Sequence, residues 1–199
     1  MPMNAALRCA NFDERRDRAL ALFAEKGFGQ VSMRELASHL GLTPGSLYHH
    51  FPSKQDLLYD LIEELYEELL ATLNQGRRAH QQTLTEVIAA HWALHAERPL
   101  QFRLAERDQC CLTPEQQARI GELRQQYETA LLRLIVPKAT LRGKALNATA
   151  HVIANLLNSL PGWLQASQLP QAQGLALMES MVLGGIERTL RGESLNTMV

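Results

Sequence analysis

The chain has 199 residues, 46% of them hydrophobic, enough to bury a substantial core in one compact chain with two subdomains. A formal net charge of -1 and a pI near 6.7 exclude a globally basic nucleic-acid binder, so any attraction for DNA must be local. No apolar run approaches the roughly 18 residues needed to cross a membrane, and the N-terminus lacks a signal-peptide pattern. The three cysteines, Cys9, Cys110 and Cys111, make a poor disulfide framework, so reduced thiols and a cytoplasmic location are expected.

Arg15, Arg16 and Arg18 lie upstream of the first clear helix start, where they can broaden a basic patch. At that start, the Ser32 hydroxyl can accept from opening backbone N–H groups, and Glu35, three residues on, can reach back as a capping box. Met33, Leu36, Ala37 and Leu40 recur at three- and four-residue spacing and make one apolar face, and Gly41 can take the left-handed conformation that ends a helix. Thr43 follows as a second N-cap with Pro44 at the first helical position, and Leu47 and Phe51 form the inner face of a second short helix. Small Ala37 at the crossing, Gly41 at the turn and Leu47 in the shared core suit a helix-turn-helix that offers its second helix to the major groove.

The outer face of that second helix carries Thr43, Gly45, Ser46, Tyr48, His49 and His50, hydrogen-bonding groups with few full charges. Hydroxyls and main-chain N–H groups suit phosphate oxygens, small Pro44 and Gly45 permit close approach to base edges, and Arg34 can bind guanine bidentately. Lys54, in the first turn of the next helix, is placed for another phosphate. Arg34 and Lys54 against Glu35 leave one positive charge between residues 32 and 54, so a shallow salt dependence is expected. The alternative is a surface helical hairpin used only for packing.

At these residues the chain resembles the TetR family of bacterial transcriptional regulators. The matching run spans about Asp17 to Leu61 and includes LFAEKGF (Leu22 to Phe28), the helix pair, and LYHHFPSKQDLL (Leu47 to Leu58). The resemblance implies an all-α homodimer with an N-terminal three-helix DNA-binding domain and a C-terminal helical domain for ligand and dimerisation, divided here as residues 1–56 and 57–199. Carried over, the family's DNA contacts fall on Ser32, Arg34, Thr43, Pro44, Gly45, Ser46, Tyr48, His49 and Lys54. Family members usually place apolar residues where Arg15 and Arg16 stand, so either Phe12 substitutes in the core or the first helix begins differently.

Beyond Phe51 the sequence is helical nearly throughout. Leu57, Leu58, Leu61, Ile62, Leu65, Leu69 and Leu73 make a long amphipathic helix that ends near Gly76, fit to transmit movement between subdomains. Arg77 to Gln82 is a polar connector, followed by a helix from about Thr83 to Glu97 that Pro99 separates from the next. Thr113, Pro114 and Gln116 mark another helix start, running to about Val136. Two final helices, about Leu141 to Leu160 and Gln171 to Arg191, are apolar over most of their circumference. Leu156, Leu157, Leu160, Leu177, Met178, Met181, Val182 and Gly185 are therefore assigned to a subunit interface.

An effector cavity in the C-terminal helices needs a few polar groups in apolar walls. His91, Trp92, His95, Arg103, Arg107, Tyr127, His151, Asn155, Asn158 and Trp163 are the candidates. His91 and His95, four apart, could share a metal, which keeps a metal-responsive regulator as an alternative, although no further Cys/His pair has ligand spacing and no cofactor is called for. An enzyme finds no support, since no phosphate loop, nucleophile elbow or paired carboxylates stand out. A helical adaptor that binds protein is the other alternative. The expected function is a repressor that binds a palindromic operator in duplex DNA as a homodimer and is released by a small-molecule effector.

Overall fold

The computed structural model describes residues 3–74, 83–135 and 144–190. Every regular element among them is helical: α1 (Met3–Lys26), α2 (Met33–His39), α3 (Pro44–His50), α4 (Lys54–Asn74), α5 (Leu84–Glu97), α6 (Pro99–Arg107), α7 (Pro114–Ile135), α8 (Lys144–Ala166) and α9 (Gln171–Leu190). Short 3-10 turns stand at Phe28–Gln30 and Gln109–Cys111. The all-α reading holds. The expected helix ends near Gly76, Val136, Leu141 and Arg191, and the connector 77–82, lie outside the described residues. No helix among the described residues is long and apolar enough to cross a membrane.

Packing divides the chain into two compact units: one comprises Met1–Leu65 with Leu100–Ile120, the other Tyr66–Pro99 with Gly121–Val199. Local periodicity cannot reveal that α6 joins the first unit, because that is a property of long-range packing.

In the first unit, α1 lays Ala19, Leu22 and Phe23 against a core that includes Leu36, Ala37, Leu40, Leu47, Phe51, Leu57 and Leu58, all buried. Phe12 stacks on Phe51 with ring centroids 5.5 Å apart, so it supplies apolar surface beside Arg15 and Arg16, while α1 also begins as early as Met3. Arg16 is then free to bond Glu64 of α4 at 2.8 Å. Gly41 has φ +67, the left-handed turn required between α2 and α3.

In the second unit, α5, α8 and α9 pack around Val87, Ile88, Trp92, Ile153, Leu157, Met178 and Val182. Pro161 sits inside α8. It has no N–H, so the carbonyl four residues back, on Leu157, loses its helical donor at a typical cost of about 3 kcal/mol. His91 of α5 reaches the Leu157 backbone at this gap, while its Nδ1 lies 3.1 Å from the Tyr127 hydroxyl. One turn on, His95 hydrogen-bonds to the Asn158 backbone and its Cε1 sits 3.5 Å from where a Cβ on Gly162 would stand. The i, i+4 histidines thus face the proline break. Gly174 is required by close approach: a Cβ there would meet Trp92 Cη2 at 2.7 Å.

Replacing His91 by Phe is expected to cost about 1 kcal/mol more with Pro161 present than in a Pro161→Ala background, where the peptide N–H is restored. Urea unfolding of the four proteins measures this coupling, and additive losses would refute it.

Candidate nucleic-acid interface and effector region

The helix pair is built from its caps. Ser32 Oγ accepts from Glu35 N at 3.2 Å and Thr43 Oγ1 accepts from Ser46 N at 3.2 Å, with Pro44 at the start of α3. The Glu35 carboxylate pairs with Lys26 Nζ at 2.6 Å, a bond that lowers the Glu35 pKa and raises that of Lys26. One acidic neighbour of the reading face is thereby neutralised. Arg18 donates to the His39 carbonyl, covering an orphan acceptor at the end of α2.

Most sequence-assigned contacts are accessible. Ser32, Arg34, Thr43, Pro44, Gly45, Tyr48 and His49 are exposed and Ser46 is half-buried. Tyr48 leaves 52% of its surface in solvent although its ring is largely apolar. Arg34 makes no ion pair among the described residues and lines an open groove of about 450 Å³ with Lys26, Ser32, Glu35, Ser38 and His39. Lys54 is placed differently. Its ammonium donates to the carbonyls of Phe28 (2.9 Å) and Val31 (2.8 Å) and lies 4.4 Å from the Phe28 ring centroid, so two of its three protons serve the fold.

The effector candidates separate. His91, Trp92, His95 and Tyr127 are buried and Asn158 is half-buried in the second unit. Within it, Trp92 Nε1 and Asn158 Oδ1 are buried without a hydrogen-bond partner, one donor and one acceptor. Burial, and secondarily the neighbouring His95, push the His91 pKa down to about 3, and burial raises that of Tyr127. Arg103 and Arg107 are not part of this group, because they belong to the first unit. Arg103 is exposed, and Arg107 donates to the Phe23 (2.7 Å) and Ala24 (3.3 Å) carbonyls at the end of α1 and to Asp108. Trp163 is 74% exposed, His151 pairs with Glu128 at 2.8 Å, and Asn155 donates to the His151 carbonyl, all at the surface. An amphipathic period could not sort these residues, since α8 is apolar on more than one side.

The interface candidates also need correction. Leu157 and Met178 are 0% exposed and Val182 1%, so they fill the chain's own core. Leu156, Leu177, Met181 and Gly185 remain exposed and Leu160 is half-buried. Val152 (56% exposed) and Trp163 join that apolar surface. Val152, one turn before Leu156, was missed although its spacing was a usable signal. An apolar groove of about 260 Å³ between α8 and α9 is lined by Val152, Leu156, Met181, Val182 and Gly185.

Residues 16–61 match the family model described as bacterial regulatory proteins, tetR family. The nucleoid occlusion factor SlmA of Shewanella baltica is 31% identical over 145 residues, covering 70% of this chain and 74% of that protein. A bacterial regulatory protein of the tetR family from Rhodococcus RHA1 superposes with a TM-score of 0.69 at 25% identity, covering 86% of this chain and 96% of that one. The structure of AibR in complex with isovaleryl coenzyme A and operator DNA has the same fold, with a TM-score of 0.71 at 18% identity over 86% of this chain and 97% of that one. A helix-turn-helix head with an accessible polar face, joined to these likenesses, defines a DNA-binding regulator and not an enzyme. The chain belongs to the TetR family.

His91 generates a pH prediction. Unfolded, it titrates near pH 6.5; folded, near 3. Between these values the unfolded state binds the extra proton, so its contribution is complete above pH 6.5 and is lost on acidification by up to about 1.4 kcal/mol per pH unit. Melting temperatures at pH 7.5, 6.5 and 5.5 are expected to fall less steeply for His91→Phe than for the wild type; parallel profiles would refute the assignment.

Proposed function

We propose that this regulator is a cytoplasmic homodimeric repressor whose residues 1–56 read a palindromic operator and whose residues 57–199 bind a small effector that releases it. The observation that carries the DNA half is the exposed surface of Arg34, Thr43, Pro44, Gly45, Tyr48 and His49 on a capped helix pair. In a two-fold dimer, two such heads would enter successive major grooves about one helical turn apart. The dimer reading is supported by Val152, Leu156, Trp163, Leu177 and Met181, an apolar surface that a second copy would cover.

For the effector, the buried Trp92 N–H and Asn158 carbonyl suit a largely apolar ligand with one acceptor and one donor. Such a ligand shifts the DNA equilibrium only by its differential affinity for the bound and released states.

A second reading follows from the relatives. The likeness to nucleoid occlusion factor SlmA covers 70% of the chain, well beyond the family segment 16–61, which favours a DNA-bound protein acting in nucleoid occlusion. Genome-wide mapping of bound DNA separates the two: a repressor occupies few promoters and its deletion raises their transcripts, whereas an occlusion factor occupies many sites with transcripts unchanged.

Arg34→Ala and Tyr48→Ala are each expected to weaken binding to a selected genomic fragment by about 1–3 kcal/mol, with folding intact by circular dichroism. Met181→Lys should yield monomers in sedimentation and lose DNA affinity with them. Wild-type affinity in the first pair would discard those contacts, and a monomeric wild type would discard the dimer.

A further inference from the structure

Cys110 and Cys111 occupy the 3-10 turn Gln109–Cys111, which enters neither the reading head nor the effector region. Cys110 is exposed and Cys111 half-exposed. Their side chains are hydrogen-bonding neighbours, and burial together with the Cys110 contact holds the Cys111 thiol above its ordinary pKa. The pair is therefore accessible, adjacent on one short turn, and raised in pKa at Cys111. The turn is also held firmly: Cys111 N donates to the Asp108 carbonyl at 2.9 Å, Leu112 N to the Gln109 carbonyl at 3.2 Å, and Gln117 Nε2 to the Leu112 carbonyl at 2.9 Å.

Those features select among thiol chemistries. A disulfide between adjacent residues would have to draw the sulfurs to about 2.05 Å against this fixed backbone. Oxidation by peroxide starts from a thiolate, which a raised pKa disfavours. A single soft atom that bonds both sulfurs meets neither obstacle, because it bridges them without bringing them into contact.

The geometry points to Cys110 and Cys111 as a two-sulfur receptor site for trivalent organoarsenicals, whose occupancy weakens DNA binding. With phenylarsine oxide the step is a condensation: two As–S bonds replace the arsenic–oxygen bonds, both thiol protons leave with the oxide oxygen as water, and arsenic stays trivalent, so no oxidant or reductant takes part.

The link to DNA runs through Arg107. Cys110 Sγ donates to the Arg107 carbonyl at 3.8 Å, and the Arg107 guanidinium holds the Phe23 and Ala24 carbonyls at the end of α1. Gly27 N donates to the same Phe23 carbonyl at 2.9 Å, so this is where α1 turns toward the helix pair. An As–S bond removes the thiol donor from the carbonyl of Arg107, the residue whose guanidinium holds the end of α1. This consequence rests on the DNA-binding reading proposed above.

The test uses full-length protein carrying Cys9→Ser, phenylarsine oxide as probe, intact-mass spectrometry and binding to the selected genomic fragment. One arsenic per chain is expected, reversed by dithiothreitol and not by equimolar 2-mercaptoethanol sulfhydryl, with DNA affinity lowered about fivefold or more. Cys110→Ser and Cys111→Ser, which leave arsenic-free DNA binding in place, should each abolish both effects. An adduct that survives Cys110→Ser, or a full adduct with unchanged DNA affinity, would overturn the proposal. Absence of DNA binding by the unmodified protein would refute the functional reading and with it the coupling, while the mass of the adduct would still decide whether the two thiols form the site.

Discussion

The Lys54 ammonium, seated on the carbonyls of Phe28 and Val31, is the contact on which the reading head depends. Helices of seven residues such as α2 and α3 are too short to persist alone, because the cost of nucleation exceeds what so few hydrogen bonds return. They hold only when their ends are satisfied and their inner faces packed. Lys54 closes the 3-10 turn before α2 from the first residue of α4, Arg18 covers the His39 carbonyl and Arg107 covers the end of α1. Three cations otherwise available to phosphate thus serve backbone acceptors. The charge left outward is small, and recognition falls to hydroxyls, an aromatic ring and Arg34.

The second unit obeys the same accounting with different parts. Pro161 opens a hole in the hydrogen-bond ladder of α8, and the buried imidazole of His91 stands at it from a neighbouring helix. Burial, with His95 beside it, makes the neutral imidazole the stable form. A pair that the i, i+4 spacing offers as metal ligands thus stands against the backbone of α8, and Trp92 Nε1 and Asn158 Oδ1 are among the buried polar atoms without a hydrogen-bond partner.

A division of labour follows for α8 and α9. Each presents one side to the core through Leu157, Met178 and Val182 and another to solvent through Val152, Leu156 and Met181. A helix apolar all round has two surfaces to bury, and a single chain covers one of them.

Sequence alone determined the N-caps Ser32 and Thr43, the turn at Gly41, the apolar faces of α2 to α4 and the family, because these depend on residues within a few positions of one another, whereas the Glu35 half of the expected capping box is taken by Lys26. It also singled out Arg34, Thr43, Pro44, Gly45, Tyr48 and His49, each of them exposed, since helical period decides which side of a short amphipathic helix is polar. Tertiary structure decided what period cannot: that Lys54 and Arg107 turn to backbone carbonyls, that α6 packs with the first unit, that Leu157 and Met178 lie inside while Val152 and Trp163 lie outside, and that His91 answers Pro161 from 70 residues away. Each of these is a long-range pairing between groups whose local sequence is silent about the partner, and only the folded chain brings the partner within reach.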